Sequence, residues 1–427
     1  MIRPSMRVRL TAALGALSLM ALTGCSDGGP EGETNAGGAS VEYGATKADF
    51  AEALEDMEPV ELVIQSTGPK GSATGRRFED YAAAVEDWSD GKISFEFVYS
   101  NGAAPPDEVH LALADGRIDV ASVMPSLVPD EFPAANAIGD LTHLGRQLPV
   151  DWMLQWHGIM FEMAAAVDDA DREFEEHGLK LLLPAFGSGA YMPYCTDAGS
   201  TAAAFDGRGV ATQSRVQNKE VEALGMNPTS ITYAEMFEGL QRGVVDCALS
   251  TVTGAALGGI IEPAPHVSFD PEHGFNSPGG TIAISLARWN ELPLAAQQLL
   301  YDRLDVLMQA NFEGAWENTA AAVEAVDSSG GRFEEFDDDL ASRIRSVHEE
   351  VEQRIADGDA VADGELLVEV AKQAEADWAR RVDELGIDGL GTTYAEFPEW
   401  YAGGVPDLQP YFDALWEGAA MGERRPS

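Results

Sequence analysis

Apolar and polar positions follow a regular order of strand-like and helical periods through the first third of the chain. Short or alternating apolar runs predict strands, and runs with apolar residues three or four positions apart predict helices. The pattern predicts, in order, strand 61–66, helix 76–88, strand 92–99, helix 107–114 and strand 118–123. This order is typical of a parallel β-sheet covered by helices.

One sequence motif occurs twice in the chain. EVHLALADGRIDVA begins at Glu108 and EMFEGLQRGVVDCA begins at Glu235, with Leu, Gly, Asp and Ala at the same offsets in both copies. A turn from a helix to a strand explains the shared Leu and Gly by itself. The acids shared at both ends favour two similar α/β lobes. Because open α/β sheets bind ligands beyond the carboxyl ends of their strands, two facing lobes predict a ligand cleft.

The rest of the body predicts a second lobe and then long helices. Further strands are expected at 179–186, after the turn at 205–211, and at 229–232, 263–269 and 279–285, with a helix at 219–225. Helical periods with acidic outer faces occupy 292–326 and 340–385. We therefore expect lobe I at 46–186 with return segments from about 270–427, the core of lobe II at 187–269, bracing helices at 292–385, and an aromatic C-terminal extension at 386–427. The extension has enough aromatic residues to dock on the body.

The N-terminus has the order of a secretory signal. Three Arg precede an apolar run from Leu10 to Leu22, which is too short to span a membrane and ends in Leu-Thr-Gly-Cys25. This junction resembles the bacterial lipobox, in which the Cys becomes the N-terminus and carries lipid. The alternative is an ordinary signal peptide followed by a coincidental Cys. We expect a lipoprotein signal peptide at 1–24, a flexible tether at 25–45, and an extracytoplasmic protein anchored to the cell membrane, periplasmic or at the cell surface, by lipid on Cys25.

Composition excludes some partners. Asp and Glu number 72 against 27 Lys and Arg, so the formal charge of -45 repels nucleic acid, which is not an expected partner. The remaining cysteines, Cys195 and Cys247, fit a disulfide bond and a pair of buried thiols equally well. Seven scattered His without metal-binding spacing predict no metal site, and no cofactor is expected.

A secreted enzyme is a competing class. The chain has no Gly-x-Ser-x-Gly elbow, no His-Glu-x-x-His, no phosphate-binding loop and no dinucleotide-binding glycine motif. Since a fold can assemble catalytic groups without a local motif, a lipid-anchored enzyme acting on a small molecule stays as the alternative. An adhesion module is a third class, and it would expose apolar surface without an enclosed pocket.

One segment resembles a known family. EALGMNP at Glu222–Pro228, followed by LQRGVVD at Leu240–Asp246, resembles the DctP-type solute-binding proteins of TRAP (tripartite ATP-independent periplasmic) transporters. The first copy of the repeat and Trp289-x-x-Leu292-Pro293 are similar to other landmarks of this family. The resemblance covers about 58–330. It implies a receptor, not an enzyme, that closes on a small solute, expected to be an organic acid, and delivers it to a TRAP-type membrane permease.

The resemblance also directs attention to the binding residues. Most members of the family hold a carboxylate with an Arg in a Gly-x-x-Ile-Arg stretch, but the matching position here is Ala211. Either Arg215 supplies the guanidinium from four residues further on, or the solute lacks a carboxylate. A family Asn is likewise replaced by Ser250. The candidate cleft residues are Gln65, Ser66, Lys70, Tyr191, Tyr194, Gln213, Arg215 and Ser250. Asp119 and Asp246 are expected to hold neighbouring loops instead.

Overall fold

The computed structural model describes residues 39–417 and 419–427. The predicted signal peptide, Cys25 and most of the predicted tether lie outside the described residues. Within the described ranges, no helix is long and apolar enough to cross a membrane.

Eleven strands among the described residues form two sheets. They are β1 (Val60–Gln65), β2 (Ile93–Val98), β3 (Val120–Val123), β4 (Leu179–Phe186), β5 (Tyr191–Cys195), β6 (Gly209–Thr212), β7 (Asn227–Ser230), β8 (Cys247–Thr251), β9 (His266–Phe269), β10 (Gly280–Ser285) and β11 (Arg332–Glu335). The sheet of lobe I has the order β2-β1-β3-β10-β4, and the sheet of lobe II has the order β11-β9-β5-β8-β6-β7.

Helices cover both sheets. They are α1 (Lys47–Ala53), α2 (Ala73–Trp88), α3 (Val109–Ala114), α4 (Pro133–Asp140), α5 (Pro149–Ala166), α6 (Asp169–Glu176), α7 (Ala202–Phe205), α8 (Arg215–Ala223), α9 (Tyr233–Gln241), α10 (Val252–Leu257), α11 (Leu286–Glu291), α12 (Leu294–Asp302), α13 (Leu304–Ser328), α14 (Asp338–Ala356), α15 (Gly364–Leu385), α16 (Phe397–Tyr401), α17 (Gln409–Glu417) and α18 (Ala419–Gly422). A 3₁₀ turn at Pro125–Leu127 follows β3. The predicted α/β class is confirmed.

The sheet of lobe I is mixed, and the predicted parallel pairing of its first three strands is confirmed. Strand β1 pairs in parallel with β2 and β3, whereas β10 is antiparallel to both β3 and β4. The reason is the path of the chain. Strand β10 enters the sheet directly after β9 of lobe II, without a crossover helix that would reverse its direction.

The repeated motif has the same structural role in both lobes. Asp119 precedes β3, its N–H donates to the carbonyl of Val63 in β1, and its carboxylate accepts the Val63 N–H at 2.7 Å. Asp246 precedes β8 and makes the same two bonds with Gly209 of β6, the carboxylate accepting at 2.8 Å. Each Asp thus fixes the register of two parallel strands. These acids were expected to hold neighbouring loops, whereas the backbone groups that they hold belong to strands.

Strand β5 was not among the predicted strands. It pairs antiparallel with β8, and this register places Cys195 opposite Cys247. The two cysteines form a disulfide bond with a Cα–Cα distance of 4.1 Å. The structure therefore decides between the two readings of this pair that the sequence left open.

Helices from the C-terminal half contact both lobes. Helix α13 packs against α2 of lobe I and α10 of lobe II, while α14 packs against α8 and α15 packs against α5.

The C-terminal extension is docked, because Phe397, Tyr411, Phe412 and Trp416 are buried in the core of lobe I. At the other end, Val41 is also buried, so the packed body includes a residue that the sequence assigned to the tether.

Candidate ligand-binding site

A cavity of about 830 Å³ lies where segments of both lobes meet. Lobe I contributes the stretch 125–140, which follows β3, and lobe II contributes the end of β6 and the first turns of α8. The end of the second crossing with the start of β10 (276–281) and the end of α14 with the loop after it (354–361) complete the wall. The cavity therefore lies at the carboxyl ends of β3 and β6, where open α/β sheets bind ligands.

Two of the predicted binding residues line this cavity. Arg215 is the first residue of α8, and Gln213 lies two residues before it. The Arg215 side chain is 80% exposed and approaches the Asp130 carboxylate of lobe I at 3.4 Å. Tyr191 is brought to the same place because its hydroxyl donates to Gln213 Oε1 at 3.2 Å. Arg215, Gln213 and Tyr191 thus form one group on the lobe II side.

The other candidates lie elsewhere. Gln65 is buried, and its side chain is occupied because its amide oxygen accepts the N–H groups of Ala103 and Ala104, and its Nε2 donates to the carbonyl of Ala104. Ser250 is buried, and its hydroxyl donates to the carbonyl of Thr251. Lys70 is exposed on the loop before α2, outside the cavity wall. Ser66 is also buried, and its hydroxyl bonds with the backbone of Gly68.

Tyr194 is not brought to the cleft. Its side chain has no solvent exposure and lies in the apolar core of lobe II. In the sheet register, Tyr194 pairs with Ala248, which pairs in turn with Ala211. Ala211 is therefore also a core residue, in the same buried cluster as Ala322 and Val323 of α13. Local packing explains why a small apolar side chain occupies this position here.

Asn276 connects the two lobes beside the cavity, and no sequence pattern indicated it. Its Nδ2 donates to the carbonyl of Gly139 and to Thr142 Oγ1, each at 2.7 Å, both in the segment after β3. Its Oδ1 accepts the Ser214 hydroxyl at 2.8 Å, and its backbone carbonyl accepts from Gln217 at 2.9 Å. One side chain therefore holds the N-terminal end of α8 against lobe I.

A buried carboxyl continues this network. Glu220 Oε1 accepts the Asn276 N–H at 2.8 Å and lies 3.0 Å from His348 Nε2 of α14. Burial raises the pKa of Glu220 to about 8 and lowers the pKa of His348 to about 3. At neutral pH both groups are therefore uncharged. His143 stacks on His348 with a centroid separation of 3.8 Å, and burial lowers its pKa as well.

Charged groups of both signs surround the cavity. The cations are Arg215, Lys219 and Arg354, and the acids are Asp130, Asp140 and Asp359. Arg354 pairs with Asp140 at 2.7 Å, although burial still raises the pKa of this Asp. Among the described residues no cluster of His, Cys, Asp and Glu has the geometry to hold a metal ion. The wall suits a small polar solute held by hydrogen bonds and one or two ionic contacts.

Two α/β lobes joined by crossing segments around a shared cavity define the class of two-lobed solute-binding proteins. The comparisons with known proteins agree with this class. Residues 64–359 match the family model described as bacterial extracellular solute-binding protein, family 7 (DctP). The chain belongs to this family, and it is a solute-binding protein. No curated protein matches the chain significantly.

Solved structures of TRAP periplasmic solute-binding proteins share the fold. One from Roseobacter denitrificans with bound β-D-glucuronate is 17% identical, with 73% of this chain and 99% of that chain covered and a TM-score of 0.58. A marine metagenome protein specific for pyroglutamate is 15% identical over 74% of this chain and 99% of its own, with a TM-score of 0.61. A Chromohalobacter salexigens protein with bound D-glucuronate is 19% identical over 73% and 99%, with a TM-score of 0.59.

Proposed function

We propose that the protein captures an organic acid outside the cytoplasm and delivers it to a TRAP-type membrane permease. The observation that carries the proposal is the cavity between the two lobes, with Arg215 and Lys219 of lobe II facing the segment 125–140 of lobe I. A volume of about 830 Å³ is ample for a small organic acid and ordered water. The bound solutes of the similar structures, glucuronate and pyroglutamate among them, all carry a carboxylate.

The position of charged residues on both lobes also supports closure of the two lobes on the solute. Arg215 and Asp130 stand on opposite lobes at the cavity mouth, so a solute held between them changes the contacts of both lobes at once. A ligand that contacts both lobes favours the closed arrangement by the difference in its affinity for the open and closed forms. In this proposal Gln213 and Tyr191 hydrogen-bond the solute, and Arg215 makes an exposed ionic contact with it at the cavity mouth.

A thermal-shift screen tests the binding proposal. The protein from residue 39 onward is heated with D-glucuronate, D-galacturonate, pyroglutamate, orotate and 3-hydroxybenzoate, and with D-glucose and benzamide as uncharged controls. A solute present at 100 times its dissociation constant adds about 2.7 kcal/mol of stability. We expect at least one acid to raise the midpoint by several degrees while the uncharged compounds do not. Stabilisation by an uncharged compound alone would contradict an organic-acid receptor.

We further propose that lipid on Cys25 holds the protein at the outer face of the cell membrane. The support is the order of basic, apolar and small residues before this Cys. Wild type expressed with labelled palmitate should incorporate the label and sediment with membranes. Cys25→Ser should remove both properties, whereas Ser26→Ala, beside it, should keep them. Membrane association of Cys25→Ser without label would contradict the lipid anchor.

A further inference from the structure

Arg77 places a guanidinium inside lobe I. It lies in the first turns of α2 and is only 5% exposed. Its Nη1 donates to Asn311 Oδ1 at 3.0 Å, and its Nη2 reaches Thr67 Oγ1 at 3.4 Å. Nε is buried without a hydrogen-bond partner among the described residues. A guanidinium has five N–H donors, so most of its binding capacity is unused.

No acid compensates this charge. Arg77 forms no ion pair with a carboxylate in the described part of the chain, and burial lowers its pKa to about 10, which still leaves it protonated at neutral pH. The face of the Phe186 ring, 4.3 Å from the guanidinium carbon, provides a cation–π contact. An isolated buried charge is costly, and neutral amide and hydroxyl groups offset only part of that cost. The environment lacks an anion.

The groups around Arg77 are held rigidly. Asn311 Nδ2 donates to the carbonyl of Gly187 at 2.8 Å, so its oxygen is fixed toward the guanidinium. The Gly187 N–H donates in turn to His157 Nε2 at 3.1 Å. Burial lowers the pKa of His157 to about 3, which keeps this nitrogen able to accept. A chain of hydrogen bonds therefore orients Arg77 from three different elements.

Arg77 lies near the carboxyl ends of two strands of lobe I. Thr67 follows the carboxyl end of β1, and Gly187 follows the carboxyl end of β4, where the chain crosses to lobe II. Phe186 connects Arg77 to the cavity, since its ring contacts the guanidinium and also abuts Gly280 in the cavity wall. A Cβ added to Gly280 would lie only 2.5 Å from Cζ of Phe186. The Phe186 ring thus contacts both the guanidinium and the cavity wall, of which Arg77 itself is not a part.

We propose that Arg77 is the inner anchor for the carboxylate of the solute. The carboxylate binds side-on to Nε and a neighbouring Nη, the geometry in which a guanidinium fork holds two oxygens. Most members of the family bind the carboxylate with an Arg of lobe II, at the position that is Ala211 here. In this proposal Arg77 of lobe I binds the carboxylate instead. This assignment rests on the proposed function, and it names the chemical class of the solute as a carboxylate.

Three variants test the anchor. Arg77→Met removes the donors and the charge, Arg77→Lys keeps the charge without the fork, and Arg76→Met is the matched control. Arg76 is the adjacent residue, but its side chain is 40% exposed and already paired with Glu317 at 2.5 Å. For each protein we measure the ligand-free thermal midpoint and the dissociation constant of the acid that stabilises wild type most in the five-acid panel above.

The expected pattern separates binding from structure. Arg77→Met should keep or raise the ligand-free midpoint, because it removes an uncompensated buried charge. It should weaken acid binding by about 30-fold or more, as expected for the loss of one partner of a buried charge pair. Arg77→Lys should weaken binding by about tenfold, since an ammonium cannot form the two parallel bonds. Arg76→Met should match wild type in both measurements.

Other results would overturn the assignment. Binding by Arg77→Met or Arg77→Lys at wild-type strength would exclude Arg77 as the anchor and leave the proposed function standing. If Arg77→Met does not fold, the dissociation constant of the acid for Arg77→Lys alone decides whether Arg77 is the anchor. A lower ligand-free midpoint of Arg77→Met with unchanged affinity would assign Arg77 a purely structural role. If no acid of the panel stabilises wild type, both this assignment and the proposed function are contradicted.

Discussion

Arg215 and Arg77 differ in the solvent around them, and this difference sets what each can contribute. The Arg215 side chain is 80% exposed, and its 3.4 Å approach to Asp130 joins two side chains in water. Exposed ion pairs contribute little and are screened by salt. The guanidinium of Arg77 is enclosed and oriented by Asn311. An anion should therefore gain more from Arg77 than from Arg215.

Arg215→Ala should weaken binding of the acid by only about two- to fivefold, because the contact is solvent-exposed. The loss should shrink further when the salt concentration rises from 50 mM to about 500 mM. Isothermal titration at the two salt concentrations measures this. Arg242→Ala is the control, since Arg242 is also exposed on lobe II and pairs with Glu238 away from the cavity wall. A loss of about 100-fold that salt does not change would place the main anchor at Arg215 instead.

The buried carboxyl of Glu220 should make stability depend on pH. Burial raises its pKa from an ordinary 4.5 to about 8, so the folded protein retains a proton that the unfolded chain releases. The stability that this group contributes is complete below pH 4.5 and is lost as the pH rises through 8. His348 acts in the opposite direction, but only below its ordinary pKa of 6.5.

The glutamine side chain in Glu220→Gln cannot ionise, so this variant lacks the dependence of stability on pH that Glu220 causes. Between pH 6.5 and 8.5 the wild type should lose about 2 kcal/mol of unfolding free energy relative to Glu220→Gln. Urea unfolding at several pH values measures the difference. Glu222→Gln, two residues away on the same helix, is the control and should track wild type. Parallel curves for wild type and Glu220→Gln would mean that Glu220 is ionised in the folded protein.

At the scale of elements, the disulfide between β5 and β8 fixes the middle of the second sheet. Cys195 and Cys247 are buried and are 52 residues apart in sequence. Closing a loop of this length restricts the unfolded chain and is worth about 2–4 kcal/mol. The Cys195→Ala, Cys247→Ala double variant should lose this amount in urea unfolding, and reduced wild type should resemble it. Equal stability of oxidised and reduced wild type would contradict this contribution.

The C-terminal extension should be part of the folding unit. Phe412 of α17 is buried and packs near Phe312 of α13, with ring centroids 5.9 Å apart. Phe412→Ala should cost about 3–5 kcal/mol, because it leaves a cavity in the main core. Glu417→Ala, an exposed change in the same helix, should cost far less. Thermal or urea unfolding compares them. A small effect of Phe412→Ala would mean that the extension contributes little to the core.

Elements with a clear period were predictable, and the exceptions have physical reasons. The strand expected at 92–99 is Ile93–Val98, and the helix expected at 76–88 is Ala73–Trp88. Strand β5 was missed because Pro193 cannot donate to the sheet and argues against a strand. Helix α5 was missed because it is buried on almost every side and so has no polar face to reveal its period.

The site was less predictable than the fold. Arg215 and Gln213 were singled out because they follow the stretch that resembles the Gly-x-x-Ile-Arg stretch of the family, and both line the cavity. Asn276 and Arg77 gave no signal, since their partners lie far away in the sequence. Asn276 bonds with Thr142, 134 positions earlier, and Arg77 bonds with Asn311, 234 positions later. Contacts of this kind depend on tertiary packing, which periodicity does not describe.

At the scale of the whole molecule, the two lobes are joined by chain crossings and by C-terminal helices that contact both of them. The chain crosses between the lobes at 187–190 and 270–279. The second crossing lines the cavity, and its Asn276 bonds to both lobes. Movement of one lobe against the other must therefore pass through this segment. The segment that joins the lobes therefore lies beside the proposed solute site.

The most direct test of the account is a calorimetric titration of the protein with the acid selected by the thermal screen, followed by recovery of that acid. A receptor predicts saturable binding of one acid per chain and recovery of the acid unchanged after prolonged incubation. A secreted enzyme would consume the acid and release a new compound. Recovery of unchanged acid after saturable one-to-one binding would support the receptor, and either conversion of the acid or absence of binding across the panel would contradict it.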